Sequence, residues 1–321
     1  MDVMFYLIQN TLPVAIPLLL VALGGMFSER SGVINIALEG IMLFGAFFGC
    51  LFVYFVQGTG LNPQVILLLA MLIAALAGVI FSLLLSFAAV SMKADQTITG
   101  TALNMLVPAM VLLFSKMNFN SDGITTNVKF YIQKVPVLGD IPIIGRLFFQ
   151  KTYLTVYIGI AFLIISTIIF YKTRFGLRLR ACGEHPQAAD SVGINVYRMR
   201  YAGVTLSGFL GGIGGYFYSV GVMSGNCNGH TGAAGFGFLA LAVMIFGQWK
   251  PMKIFFAALF FAFLRTVAYS VSLIPFLNNL NINPTYYKML PYIATMVVLA
   301  FTSKKSRAPK AEGVPYDKGK R

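Results

Sequence analysis

The sequence predicts an all-α protein that crosses a membrane several times. Hydrophobic residues make up 58% of its 321 residues and charged residues only 11%. Apolar runs of about 20 residues recur along the chain, which is the length that crosses a bilayer as a helix. The 32 glycines and 29 phenylalanines suit helices that pack closely in lipid. This composition argues against a soluble globular fold.

Nine apolar segments are the predicted spans. In chain order they cover residues 11–27, 33–56, 64–90, 98–115, 152–171, 201–222, 235–247, 254–274 and 288–302. The seventh has about 13 residues, fewer than the ~20 that a complete crossing needs. We therefore expect it to be broken, re-entrant or extended by its glycine-rich approach.

The basic residues predict the orientation, because cytoplasmic loops are enriched in Lys and Arg. With the C-terminus inside, the cytoplasmic segments hold 17 of the 24 basic residues. The transmembrane domain is then 1–302, with an external loop at 116–151, a cytoplasmic loop at 172–200 and a basic cytoplasmic tail at 303–321. Nine spans place the N-terminus outside. We expect the tail to be solvated and close to lipid headgroups rather than bound to nucleic acid.

Catalytic and metal-binding motifs are not found in the sequence. Cys50, Cys182 and Cys227 are odd in number and far apart, which argues against a disulfide framework. Cys227 lies near His230, but two residues without further ligands do not predict a metal site. No phosphate-binding G-x-x-x-x-G-K-[ST] motif and no Ser/His/Asp set occurs. No cofactor or enzymatic activity is expected, and MDVMFYLIQN lacks the basic region of a cleavable signal peptide.

A short internal echo suggests inverted repeats. Gly32–Leu38 and Gly235–Leu241 share the pattern G-x-x-x-[IL]-A-L, and they cross in opposite directions in the predicted topology. Paired glycine-containing segments in the two halves of a transporter often border its pathway. Overlapping G-x-x-x-G spacings in SGFLGGIGGYF predict close helix packing.

Asn35 and Glu39 are the most unusual polar residues of the second span. Four residues apart, they would share one face of a helix. An acidic side chain at the centre of a membrane helix costs roughly 2.5–3.5 kcal/mol, so this face is expected to point inward. Glu39 would then line a pathway or pin a neighbouring helix, or it would form a buried structural hydrogen bond.

Two further polar residues lie within apolar runs. Arg265 is the only basic residue well inside a predicted span, and three interpretations remain open: contact with a substrate, pairing with Glu39, and snorkelling toward the interface. Asn104 is either a ligand or a hydrogen bond between helices.

The segment 176–200 carries definite helix signals. Pro186 suits the first turn of a short helix, Glu184 complements its N-terminal dipole, and Gly193 can end it about two turns later. Asn195 can cap the following helix. The predicted short helix presents Ala188 and Ala189 on its surface, and it suits docking into a groove of a cytoplasmic partner.

Four stretches in the same order also carry a family resemblance: SERSGVINIALEGIMLFGAF, KADQTITGTALNML, GLRLRACGEHPQAADSVGINVYRMRYAGVTLSGFLGGIGG and GFGFLALAVMIFGQWKP. They resemble the membrane permeases of bacterial ABC importers of the simple-sugar and branched-chain amino-acid superfamily. Asn35 to Gly40 match the N-x-x-x-E-G of the nucleoside-type subfamily.

The resemblance implies a type II ABC importer architecture and a bacterial cell-membrane location. It also implies three partners: a cytoplasmic ABC ATPase, a second and commonly non-identical permease chain, and an external substrate-binding lipoprotein. The coupling region to the ATPase maps onto Glu184, His185, Pro186, Ala188 and Ala189, while Asn35, Glu39, Asn104 and Arg265 are the candidate pathway residues.

The expected substrate is a nucleoside, with a simple sugar as the alternative. Two rival functions remain at this stage. The first is a secondary transporter in which Glu39 and Asp95 carry protons, and the second is a polytopic membrane enzyme.

Overall fold

The computed structural model describes residues 2–134, 145, 150–228, 235–273, 283–302 and 308–319. Twelve α-helices lie in these residues: α1 Asp2–Glu29, α2 Leu38–Val56, α3 Pro63–Ser86, α4 Gln96–Phe119, α5 Leu154–Lys172, α6 Arg174–Glu184, α7 Pro186–Ser191, α8 Val196–Gly221, α9 Phe236–Phe246, α10 Pro251–Tyr269, α11 Pro284–Tyr287 and α12 Leu290–Thr302. A π-helical turn, Phe87–Ser91, extends α3. The predicted all-α class is confirmed in its main feature, because most of the described chain is helical.

Two short antiparallel ribbons add to the helices. β1 (Gly123–Ile124) pairs with β4 (Cys227–Asn228), and β2 (Tyr131–Lys134) pairs with β3 (Gln150–Tyr153). They lie in or beside the loop expected to be external, part of which is outside the described residues. His230, the residue considered together with Cys227 as a metal ligand, is also outside them.

Six described helices are long and apolar enough to cross a membrane: α1 from Met4, α2, α3 with its π-helical turn, α4, α5 and α10. The expected count of nine is not confirmed for the described residues. The seventh predicted span is short, as expected: α9 has 11 residues and is therefore about 16 Å long. Of the ninth, the described residues include a helix of 13 residues, α12.

The central helix of the described fold is α8, whose 26 residues are buried along most of their length. It packs against α1, α2 and α3. A Cβ atom at Gly212 would collide with the carbonyl oxygen of Ala74 in α3, and one at Gly215 with that of Met42 in α2. Glycine therefore permits the close approach that the G-x-x-x-G spacings predict. Because protein surrounds α8, it does not need the hydropathy of a lipid-facing span.

The second predicted span begins later than expected. Residues 30–37 are not helical, and α2 starts only at Leu38. Asn35 and Glu39 therefore do not share a helical face, and that prediction is wrong. Non-helical backbone between two membrane-spanning helices requires protein partners for its polar groups wherever it lies within the bilayer. Gln96 provides one, because its Oε1 accepts the Ile34 N–H at 2.8 Å.

The two copies of the sequence echo have different local structures. Gly32–Leu38 mostly precedes α2, whereas Gly235–Leu241 forms the first turns of α9. The seven-residue match is therefore not a match of local conformation, and the inverted repeat stays a prediction.

The described part of the C-terminal tail, residues 308–319, was expected to be solvated. It is instead docked onto the rest of the protein. Tyr316 is 5% exposed and packs with Cys182, Ala189 and Val196. Glu312 is hydrogen-bonded to Glu29, and burial raises the pKa of the Glu312 carboxyl, while Glu29 and Arg30 act in the opposite direction. The reason for the difference is that side chains from α6, α7 and α8 form a pocket for the Tyr316 ring.

Candidate functional site

Asn104 of α4 holds the start of α2. Its Nδ2 donates to the carbonyl oxygen of Ile36 at 2.7 Å, and its Oδ1 accepts the N–H of Gly40 at 2.7 Å. Ala37, at the N-cap position of α2, has no side chain that could accept such a bond. Asn104 therefore supplies the capping oxygen from another helix, which a helix N-terminus normally takes from its own N-cap residue.

Glu39, in the first turn of α2, caps a second helix. Its Oε1 accepts the N–H of Gly235 at 2.9 Å, and its Oε2 accepts the N–H groups of Gly237 at 2.6 Å and Phe238 at 3.3 Å. These three donors form the N-terminus of α9, where the helix dipole favours a negative charge. The arrangement offsets the cost of burying the carboxylate.

Gly237 makes this contact possible. A Cβ atom at this position would lie 2.6 Å from the backbone nitrogen of Glu39. The N-termini of the two helices therefore meet at Glu39, one contributing the carboxylate and the other its free N–H groups.

Arg265 of α10 lies in an aromatic environment. Its Nη2 donates to the Tyr218 hydroxyl at 3.1 Å. Its guanidinium carbon lies 4.6 Å from the centre of the Phe236 ring and 5.5 Å from that of Tyr269, which are favourable cation–π distances. Arg265 is 9% exposed and lines a cavity of about 280 Å³ with Asn10 and Tyr269.

Direct pairing of Arg265 with Glu39, one of the three interpretations that the sequence left open, is not observed. Among the described residues the ion pairs within 4.0 Å are Arg30–Glu184, Lys93–Asp317 and Lys116–Asp122. Glu39 and Arg265 are instead linked through the first turn of α9: the carboxylate binds its N–H groups and the guanidinium contacts the Phe236 ring. The burial of Arg265 also argues against snorkelling.

Asn35 is fully buried, and its Nδ2 donates to the Ser207 hydroxyl of α8 at 2.8 Å. It does not line an open surface in this structure. Its amide anchors the non-helical segment to α8, whereas Glu39, four residues later, points to α9.

One face of the chain is open next to Glu39 and Asn104, both of which are half-buried. Around them, Phe238 is 48% exposed, Met105 78% and Tyr292 43%. A carboxylate facing lipid costs several kcal/mol. This face therefore requires a protein partner or water.

The coupling region has the predicted start and end signals. Pro186 begins α7, Gly193 follows it with φ of +84°, and the Asn195 side chain caps α8 by accepting the N–H of Arg198 at 3.0 Å. Glu184 forms an ion pair with Arg30 at 3.3 Å. Burial lowers the pKa of Arg30, and Glu184 acts in the opposite direction.

The exposed surface of α7 is smaller than expected. His185 and Ala188 are exposed, but Pro186 and Ala189 are buried. The prediction that Ala189 lies on the surface is wrong, because α7 turns this side toward the pocket of Tyr316. The exposed Val192 adds an apolar side chain to the outer face.

Several contributing residues were not singled out from the sequence. Besides Gln96, they include Tyr218, Ser207, and Trp249, whose indole N–H donates to Glu29. Gln96 follows Asp95, which caps α4 by accepting the N–H of Ile98 at 2.9 Å. The partners of these side chains lie 47 or more residues away in the chain, so no local spacing indicates them.

Known proteins include relatives that match this chain along nearly the whole length of both sequences. The chain is 45% identical to the guanosine ABC transporter permease protein NupQ of Bacillus subtilis, over 100% of this chain and 99% of that protein. It is 41% identical to the nucleoside ABC transporter permease protein NupC of Lactococcus lactis, over 98% and 97%.

A solved structure shares the fold. It is an inward-facing conformation of a transporter described as a metal-chelate type ABC transporter, with a TM-score of 0.50 and 18% identity over 93% of this chain and 85% of that chain. The family described as branched-chain amino acid transport system / permease component matches residues 7–299. With nine-tenths of its length matched, the chain belongs to this family of ABC transporter permease components.

Proposed function

We propose that this chain is a permease subunit of a bacterial ABC importer for nucleosides. The observation that carries the proposal is its similarity, along essentially the whole chain, to permeases named for guanosine and for nucleosides. The residues that form the site agree with a transport role, because they position helix ends and carry no catalytic set.

The open face beside Glu39 and Asn104 supports a second permease chain as the partner. Two such faces would enclose a pathway that is shielded from lipid, and each would supply one carboxylate at the start of a broken helix. By the family resemblance this partner is a non-identical homologue. An external binding lipoprotein would deliver the nucleoside to the pathway.

The loop 172–200 is the proposed docking site of the ATPase. Its basic residues favour a cytoplasmic position, with the C-terminus on the same side and the N-terminus outside. The exposed face of α7, with His185 and Ala188, would dock into the ATPase. ATP hydrolysis is assigned to that partner, and its movement would shift the inward- and outward-open populations through α7.

The rival of a proton-coupled transporter is not favoured. The relatives are ABC permeases. In addition, the Glu39 carboxylate accepts hydrogen bonds from three backbone N–H groups, which gives a structural reason for its negative charge. A simple sugar, the alternative substrate class, is not favoured by these relatives either.

Uptake by cells that express the complete transporter tests the proposal. We expect ATP-dependent accumulation of radiolabelled guanosine, competed by other nucleosides and not by a simple sugar or a branched-chain amino acid. Competition by the sugar or the amino acid, with none by nucleosides, would overturn the substrate class. Accumulation that collapses with an uncoupler and persists without ATP would overturn the class of transporter.

A further inference from the structure

The docked tail connects the coupling region to the segment that leads to Glu39. At one end, Tyr316 fills the pocket formed by Cys182, Ala189 and Val196, and its ring meets that of Tyr197 edge-on at 5.4 Å. Ala189 belongs to α7 and Cys182 to α6. The tail therefore contacts both helices of the loop that is proposed to dock into the ATPase.

In its middle, the tail is held by backbone hydrogen bonds. The Ala311 N–H donates to the carbonyl oxygen of Gly183 in α6 at 2.9 Å, and the Gly313 N–H donates to that of Gly32 at 3.3 Å. A Cβ atom at Gly313 would lie 2.7 Å from the Ile34 side chain. Gly32 and Ile34 are part of the non-helical segment that ends, a few residues later, at Glu39.

Two further contacts fix the position of the tail. Arg200 of α8 is 1% exposed, and its Nη1 donates to the carbonyl oxygen of Val314 at 2.9 Å. Asp317 forms an ion pair with Lys93, just before α4, at 3.2 Å. The segment thus contacts α6, α7, α8, the residues before α4 and the non-helical segment before α2.

We propose that residues 308–319 form a strap that transmits movement of α6 and α7 to residues 30–37, and through them to the capping contact between Glu39 and α9. The strap rests on the proposed function, since it needs an ATPase that moves α7. The backbone of the strap can carry a displacement of α6 to residues 30–37, because it is hydrogen-bonded to Gly183 of α6 and to Gly32. The two tail residues that make these bonds, Ala311 and Gly313, are only two positions apart. Tyr316 acts as a positioning residue and does not contact the substrate.

The test uses the complete transporter in proteoliposomes, with uptake and ATP hydrolysis measured on the same preparation. For Tyr316→Ala we expect normal copurification of the ATPase and retained hydrolysis, but uptake per ATP lowered roughly tenfold, within the usual range of coupling between sites. Tyr316→Phe keeps the ring and should retain coupling. Val314→Ala is the matched control, because this side chain is exposed while its carbonyl group is unchanged.

A second variant covers the case in which Tyr316→Ala does not assemble. Ala311→Pro removes the N–H that donates to Gly183 and leaves the buried ring in place, and it should also lower uptake per ATP. Unchanged uptake per ATP in both variants would overturn the strap. So would uptake and hydrolysis that fall in proportion to the amount of assembled complex, because this indicates a purely structural role. If the wild-type protein shows no ATP-driven uptake, the proposed function fails and not the strap alone.

Discussion

Replacing Glu39 by Gln tests whether the carboxylate stabilises the start of α9. Both carboxylate oxygens are used: one accepts the Gly235 N–H, and the other accepts those of Gly237 and Phe238. An amide has only one acceptor oxygen, so its NH₂ group must face at least one of these donors. The variant loses one hydrogen bond to a charged group, worth about 1.5–3 kcal/mol.

The loss of charge at the helix N-terminus adds about 0.3–1 kcal/mol. We therefore expect Glu39→Gln to lower the free energy of unfolding by about 2–4 kcal/mol. The measurements are the melting temperature of the purified assembly and nucleoside uptake in cells, and both should decrease clearly.

Asp95→Asn is the matched control for this experiment. Asp95 is an exposed carboxylate that caps α4, and Asn caps a helix about as well as Asp. This variant should keep its melting temperature and its uptake. If Glu39→Gln behaves like Asp95→Asn in both measurements, the capping argument is refuted.

Three further predictions concern other parts of the chain. Ala188→Arg, on the exposed face of α7, should abolish copurification of the ATPase while the permease still inserts into membranes; undiminished copurification would contradict docking through α7. The thiols of Cys50 and Cys227 are buried next to each other, so a small thiol oxidant should link them within one chain. The product is detected as a cross-linked peptide by mass spectrometry, and peptides linked only through the third cysteine would contradict the contact. Burial raises the pKa of Glu312 above its ordinary value of 4.5. The neutral carboxyl group therefore contributes fully to docking of the tail below pH 4.5, and this contribution is lost as the pH rises through the raised pKa, because a charged carboxylate is costly to bury. Trypsin should therefore cleave the tail faster at higher pH, and Glu312→Gln should remove this dependence; the same pH dependence in the variant would contradict the assignment.

Features that depend on neighbouring residues were predictable from the sequence. Pro186, Gly193 and Asn195 predict the bounds of α7 and the start of α8, because helix ends are set by side chains within a few positions. The close packing of α8 was predictable from its glycine spacing. The short length of α9 followed from the length of its apolar run.

The sequence left three roles open for Glu39: lining a pathway, pinning a neighbouring helix, or forming a buried hydrogen bond. It could not identify the three donors, because they lie 196–199 residues away in the chain. The helical relation of Glu39 to Asn35 was predicted wrongly for a similar reason. The sequence from Gly32 to Leu38 looks compatible with a helix, but the distant Gln96 and Asn104 satisfy its backbone in another conformation.

By itself, the sequence determined that the chain is a helical membrane protein, where most of its apolar segments lie, and which loop carries a short helix. These properties follow from local composition and spacing, since each apolar segment must satisfy its own backbone in lipid. Only the tertiary structure decided that Glu39 caps α9, that Arg265 lies over the Phe236 ring instead of pairing with Glu39, and that the described part of the basic tail is docked. The physical reason is that these contacts depend on which distant groups packing brings within a few ångströms, and a buried charge or ring is stabilised by the partners that it meets there.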